Sequence, residues 1–173
     1  MKILAFGAST SSTSINSKLA SHAAGLVPDA EVTHLDLRDY TLTIYSSDEE
    51  TANGVPADAK AFLEAIQAHD AIIVSLAEHN GSYSAAFKNL YDWASRLEYA
   101  LWSNKPMLLL ATSPGARGGA SVLENAKAIF PRMGADLRGT FSLPSFQDNF
   151  SDDEGITDEA LATSLAEAVK SLA

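Results

Sequence analysis

Five apolar runs punctuate the chain, at Ile3 to Phe6, Glu31 to Leu37, Ala71 to Leu76, Met107 to Thr112 and Ala135 to Leu143. Ile3 to Phe6, Ala71 to Leu76 and Met107 to Thr112 are nearly continuous, the pattern of a strand covered on both faces. Glu31 to Leu37 and Ala135 to Leu143 are broken by polar residues and mark strands less sharply. Between them the apolar positions recur every three or four residues, as on one face of a helix. Ile15, Leu19, Ala23, Leu26 and Val27 share a face, and so do Ala59, Phe62, Ala65 and Ile66, with Pro56 suited to a first helical turn. Phe87, Leu90, Tyr91, Ala94, Leu97 and Leu101 form a longer stripe that Lys105-Pro106 breaks. Val122, Ala126, Ile129 and Phe130 precede Pro131, and Leu161, Leu165, Val169 and Leu172 form a terminal stripe after Thr157. Strands alternating with helices predict an α/β fold, a five-stranded parallel sheet with helices on both faces. The 173 residues suffice for one buried core and are few for two, so residues 1–173 are expected to form one domain.

Two segments escape the pattern. Arg38 to Val55 is the longest irregular connection, and Gln147 to Gly155 is rich in acids. The second fails the spacing of a calcium loop, because Phe150 stands where the first ligand belongs, and is expected to be a surface turn. The chain has no cysteine, which excludes disulfides, thiolate metal sites and a cysteine nucleophile. Its four histidines lack ligand spacing, so no metal is expected. A formal charge of −10 counts against nucleic acid as a partner. No apolar run is long enough to span a membrane and no signal-peptide pattern opens the chain, so no membrane partner and a cytoplasmic location are expected.

Candidate chemistry concentrates in Gly7 to Asn16, GASTSSTSIN, between the first strand and the first helix. Ser9, Thr10, Ser11, Ser12, Thr13 and Ser14 all carry hydroxyls, and the amides of this loop lie at the positive end of the following helix. That combination suits a phosphate. Residues 1–28 contain Lys2 and Lys18 and no acid, so repulsion of an anion is low there. Neither GxxxxGK[ST] nor GxGxxG occurs, which leaves a mononucleotide as the expected ligand. The alternative is a solvated serine-rich turn with Ser14 or Asn16 as helix cap. Ala77 to Ser82 and Ser113 to Gly119 follow the third and fourth strands, and the three loops should converge at the carboxyl edge of the sheet, where strand order reverses. The latter two could frame a flat ring.

Ser9 to Asn16, Glu78 to Trp93 (EHNGSYSAAFKNLYDW) and Ser113 to Gly119 (SPGARGG) resemble the three signature segments of the NAD(P)H-dependent FMN reductase family, which includes quinone, azo and chromate reductases. The middle segment matches best, through Asn80-Gly81-Ser82, Lys88-Asn89 and Asp92-Trp93. The resemblance implies a flavodoxin-like three-layer fold with strand order 2-1-3-4-5, FMN as cofactor and NAD(P)H as substrate. Hydride would pass from nicotinamide to FMN and on to a quinone-like or other small oxidised acceptor, the two substrates using one flavin face in turn. Phosphate ligands would then be Ser9, Ser14 and Asn16, with Ser11 and Ile15 in the same cradle; Glu78, His79, Asn80, Gly81 and Ser113 would frame the ring, with Gly115 and Arg117 from the third loop. Many relatives place an arginine in the first loop. This chain has only hydroxyls there, so phosphate affinity should rest on amides and the helix end. No protein acid or base is required, and His79 is the one candidate proton donor. A homodimer or homotetramer is implied, with the helix from Tyr83 to Leu101 at the contact, since Tyr91, Trp93, Tyr99 and Trp102 spread beyond one stripe. The alternative reading is a flavodoxin-type electron carrier without nicotinamide activity.

Overall fold

A computed structural model describes residues 1–172. Its elements, in chain order, are β1 Lys2–Ala8, α1 Ile15–Gly25, β2 Glu31–His34, α2 Ser47–Asn53, α3 Ala57–Gln67, β3 Ala71–His79, β4 Ser82–Tyr83, α4 Ala85–Leu97, β5 Pro106–Thr112, α5 Ala120–Ile129, β6 Asp136–Leu143, α6 Phe146–Asn149, β7 Phe150–Ser151, β8 Gly155–Ile156 and α7 Glu159–Lys170. The main sheet runs β2-β1-β3-β5-β6, parallel throughout. With the two-residue β4 set aside, this is the expected order 2-1-3-4-5. Strand alternation divides the core in two. Leu4, Phe6, Ile72, Val74, Met107 and Leu109 face α3, α4 and α5, while Ile3, Ala5, Ile73, Leu108 and Leu110 face α1 and α7.

Several boundaries differ from the expectation, each for a local reason. The second strand ends at His34 rather than Leu37, because the Asp36 carboxylate accepts from the Arg38 amide and turns Leu37–Asp39 into a 3-10 helix. The third strand runs past Leu76 to His79, and β4 pairs back on it, so the expected loop there is a hairpin. The stripe through Leu101 leaves the helix after Leu97, and Leu101 and Trp102 reach the core from an irregular turn. Gln147 to Gly155 holds α6 and a β7–β8 hairpin instead of a plain turn. Among the described residues no helix is long and apolar enough to cross a membrane.

The long connection after Arg38 is ordered by contacts that lie far away in sequence. It contains α2, capped by Ser46, whose hydroxyl accepts from the Glu49 amide. It is also tied to α4. The Asn89 amide donates to Thr43 O at 2.9 Å and accepts from Tyr45 N at 2.9 Å, and Trp93 Nε1 donates to Thr43 O at 2.8 Å. Arg96 reaches Glu50 at 3.0 Å, a further tie between α4 and α2. The Asn89 and Trp93 of the signature segment therefore clasp this strap.

Candidate active site

The site begins where β1 passes closest to α1. A Cβ on Gly7 would lie 2.3 Å from the Ser17 nitrogen, so only glycine lets the start of the helix sit this near the strand end. Ser14 caps α1, its Oγ accepting from Ser17 N at 3.1 Å. That bond leaves the hydroxyl hydrogen available to an outside acceptor. Among the described residues nothing accepts from the amides of Ile15 or Asn16, the unpaired donors of the first helical turn.

Asn16 is placed differently from a simple ligand. Its buried side chain donates from Nδ2 to Thr112 O at 3.2 Å, and its Oδ1 accepts from Thr112 N at 3.1 Å and from Ser75 Oγ at 2.7 Å. One amide thus fastens the first turn of α1 to the ends of β3 and β5. Its backbone N–H, not its side chain, is what it can offer a phosphate. Ser84 makes a similar joint, donating to Ala8 O at 2.7 Å while capping α4.

On the other side, Asn80 and Gly81 form the tip of the β3–β4 hairpin, with φ of 53° and 78°. Glu78 lies below the tip and accepts from Val122 N at 3.0 Å with Oε2. Its carboxylate therefore occupies the start of α5, which its own sequence leaves without a side-chain cap. The loop after β5 turns into that helix through Gly118, at φ 56° and packed so closely that a Cβ would lie 2.4 Å from Ser142 Oγ. The loop is clamped from β6, as Ser145 N donates to Gly115 O at 3.0 Å and Phe146 N to Ser113 O at 3.1 Å.

These segments enclose an open cavity of about 260 Å³. Ser9, Ser11, Ser14, Ile15, Asn16, Glu78, His79 and Ser113 line it as anticipated. Asn80, Gly81, Gly115 and Arg117 do not; they lie on exposed turns, and Arg117 donates to Ser121 Oγ at 3.0 Å. Thr13, Ala77, Thr112, Pro114 and Gln147 complete the lining. Gln147 was not anticipated, and its signal was topological: β6 neighbours β5, so the residues after β6 must emerge beside the loop after β5. The cavity has two chemical halves. One is hydroxyls and free amides at the start of α1; the other is formed by Ala77–His79 and Thr112–Pro114, from the neighbouring ends of β3 and β5. Among the described residues no lysine or arginine lines it. A ligand with a phosphate tail and a flat ring fits this division.

Comparison with known proteins agrees. The family model described as NADPH-dependent FMN reductase matches residues 1–148. An NAD(P)H-dependent FMN reductase of Pseudomonas aeruginosa is 34% identical over 120 residues, covering 69% of this chain and 64% of that protein, so the chain spans just under two thirds of its length. An NADPH:quinone oxidoreductase of Arabidopsis thaliana is 28% identical over 99% of this chain and 90% of its own. Among solved structures, the flavoenzyme NAD(P)H:(acceptor) oxidoreductase of Paracoccus denitrificans superposes with a TM-score of 0.76 at 26% identity, covering 99% of this chain and 94% of that one.

Proposed function

We propose, for this chain that belongs to the NADPH-dependent FMN reductase family, that the cavity holds FMN and that the protein reduces small quinone-like acceptors with NAD(P)H. The observation that carries the reading is the open start of α1: two unpaired amides and the Ser14 hydroxyl face a cavity whose far half suits a ring. The hydroxyls of Ser9, Ser11 and Ser14 and the amides of Ile15 and Asn16 hold the phosphate. The segments Ala77–His79 and Thr112–Pro114, with Gln147, frame the ring. Bound there, FMN supplies the redox chemistry, accepting hydride from nicotinamide and returning it to the oxidised substrate.

The chain itself binds, orients and manages one proton. Glu78 is held by Val122 N, so its task is to fix the hairpin against α5. His79 is exposed at the rim, and no intramolecular hydrogen bond engages its ring among the described residues; it is the side chain placed to protonate a reduced acceptor. We propose a homodimer or homotetramer that covers the exposed Ile44, Leu97 and Tyr99 beside α4. Tyr91, Trp93 and Trp102 are buried inside the protomer and so are not the contact residues the sequence suggested. We propose a cytoplasmic setting, with which a cysteine-free chain is compatible.

Titration with flavins tests the site. FMN is expected to bind about a hundredfold tighter than riboflavin, roughly 3 kcal/mol for two or more charge-assisted hydrogen bonds. Anaerobic bleaching of the loaded protein by NADPH or NADH tests the reaction. Equal affinity for the two flavins would remove the assigned role of the α1 end, and a flavin that neither nucleotide bleaches would make the protein an electron carrier.

A further inference from the structure

Behind the hydroxyl loop, on the side away from the flavin cavity, lies a second cavity of about 280 Å³. It shares Ser11, Thr13 and Ser14 with the first, so those residues form a crest between the two. Its charged lining is Lys18 from α1 and Asp36 and Arg38 from the turn after β2. It opens through Ser17, Ser21 and Asp36 into a third cavity of similar size, with the backbone of Ala5 to Gly7 and Leu35 along it and His34 on one wall. The result is a groove with two cations and one carboxylate near the crest, more enclosed and less polar beyond.

We propose that this groove receives the adenosine half of NADPH, with the 2′-phosphate between Lys18 and Arg38, and that it makes the chain prefer NADPH to NADH. The inference rests on the reductase reading of the neighbouring cavity. A nucleotide with its nicotinamide over the flavin ring must lead its pyrophosphate out of that cavity. Thr13 on the crest and Ser12 beside it, neither of them assigned to the flavin phosphate, offer hydroxyls for the crossing, and no acid occurs in residues 1–28. Both cations are available. Lys18 is paired with Asp152 at 2.6 Å and Arg38 with Asp36, but all four side chains are more than a third exposed, and pairs in water exchange partners at little cost. Arg38 meets Asp36 through Nε and Nη2 alone, leaving Nη1 for a second anion. An acid and an arginine two residues apart after the second strand can serve both ends of the choice, since a carboxylate accepts from a ribose hydroxyl and a guanidinium holds a ribose phosphate.

Calorimetry with adenosine 2′,5′-bisphosphate and 5′-AMP tests the groove without turnover. The bisphosphate is expected to bind about tenfold more tightly, as one charge-assisted contact at a solvated site implies, and Lys18→Ala or Arg38→Ala should remove most of that difference. In steady state, each substitution should lower the ratio of kcat/KM for NADPH over NADH about tenfold, and Asp36→Asn should raise it. Equal binding of the two probes by the parent protein would overturn the proposal. So would an Arg38→Ala protein that loses FMN affinity as much as bisphosphate affinity, which would give the cations to the flavin phosphate instead. A protein whose flavin bleaches equally with both nucleotides refutes this inference alone; one bleached by neither refutes the reductase reading beneath it.

Discussion

Two helices begin at the carboxyl edge of one sheet, α1 after β1 and α5 after β5, and neither has an acid in its own first turn. Their ends are treated in opposite ways. At α5 the Glu78 carboxylate, brought from the β3 hairpin, accepts from Val122 N, so the positive end of the helix is answered from inside the protein. At α1 the Ser14 cap answers one amide only, and those of Ile15 and Asn16 stay open toward a cavity. Two ends of the same kind at the same edge of the sheet, in opposite helix layers, thus differ in what they can bind. The open one is the end proposed for the anion; the filled one is a structural joint.

The largest effect expected from breaking this arrangement is that of Asn16→Ala. The substitution leaves the Ser75 hydroxyl and the Thr112 N–H buried without a partner, at about 1 to 3 kcal/mol each. A loss of about 3 kcal/mol in the ligand-free protein, roughly 6 to 12 °C in Tm for a chain of this size, is expected in thermal melts. FMN affinity should fall as well, since the amides of the first turn lose their anchor. A variant that melts normally and yet loses FMN would return Asn16 to the role of a direct ligand.

Ser14→Ala comes next. Here the cap and the outside donor are the same hydroxyl, so both the ligand-free stability and the affinity should drop. The cap accounts for about 1 kcal/mol of stability. The lost phosphate contact should weaken FMN about tenfold to a hundredfold while leaving riboflavin nearly unaffected, which a fluorescence titration of both flavins reads directly. An equal loss for the two flavins would mean that the cavity, not the phosphate cradle, had been disturbed.

Glu78→Ala tests the filled end. Emptying it should cost about 1 kcal/mol in thermal melts, as the start of α5 loses its charge-assisted bond. The same variant should gain more stability from added sulfate than the parent does, because a second open helix end now faces the edge of the sheet. If sulfate helps both equally, the comparison between the two ends fails.

Much of this was legible in the sequence, and what was not has a common cause. The buried strands β1, β3 and β5 stand out as continuous apolar runs, because both of their faces are covered. The edge strand β2 is largely exposed and blurs into the turn that Asp36 makes. The hydroxyls before α1 are a local signal and stand out in the sequence as one. The clasp of Asn89 and Trp93 on Thr43, the carboxylate of Glu78 on Val122 and the bonds of Asn16 to Ser75 and Thr112 join residues 44 or more apart. A polar residue in a sequence announces that it needs a partner but not which one. Thus Asn16 reads as a ligand until the fold shows that its side chain is already satisfied.

The smallest expected effect concerns the far half of α1, remote from the open end. The His22 ring lies against Gly155, where any Cβ would collide with it, and edge-on to Phe150 at 5.6 Å. Burial lowers its pKa from the ordinary 6.5. The unfolded chain therefore takes up the proton more readily than the folded one, so stability is full above pH 6.5 and declines as pH falls below it. Lys18, Asp152, Asp153 and Glu154 share the adjoining cavity, and its three acids favour the imidazolium against that burial. The sign of the slope decides between them. Melting curves of the parent and His22→Phe between pH 5.5 and 7.5 should show the parent losing more stability on the acid side. A parent that instead gains stability relative to the variant as pH falls would mean that the acids capture the protonated ring, and that the β7–β8 hairpin is held to α1 by charge rather than by packing.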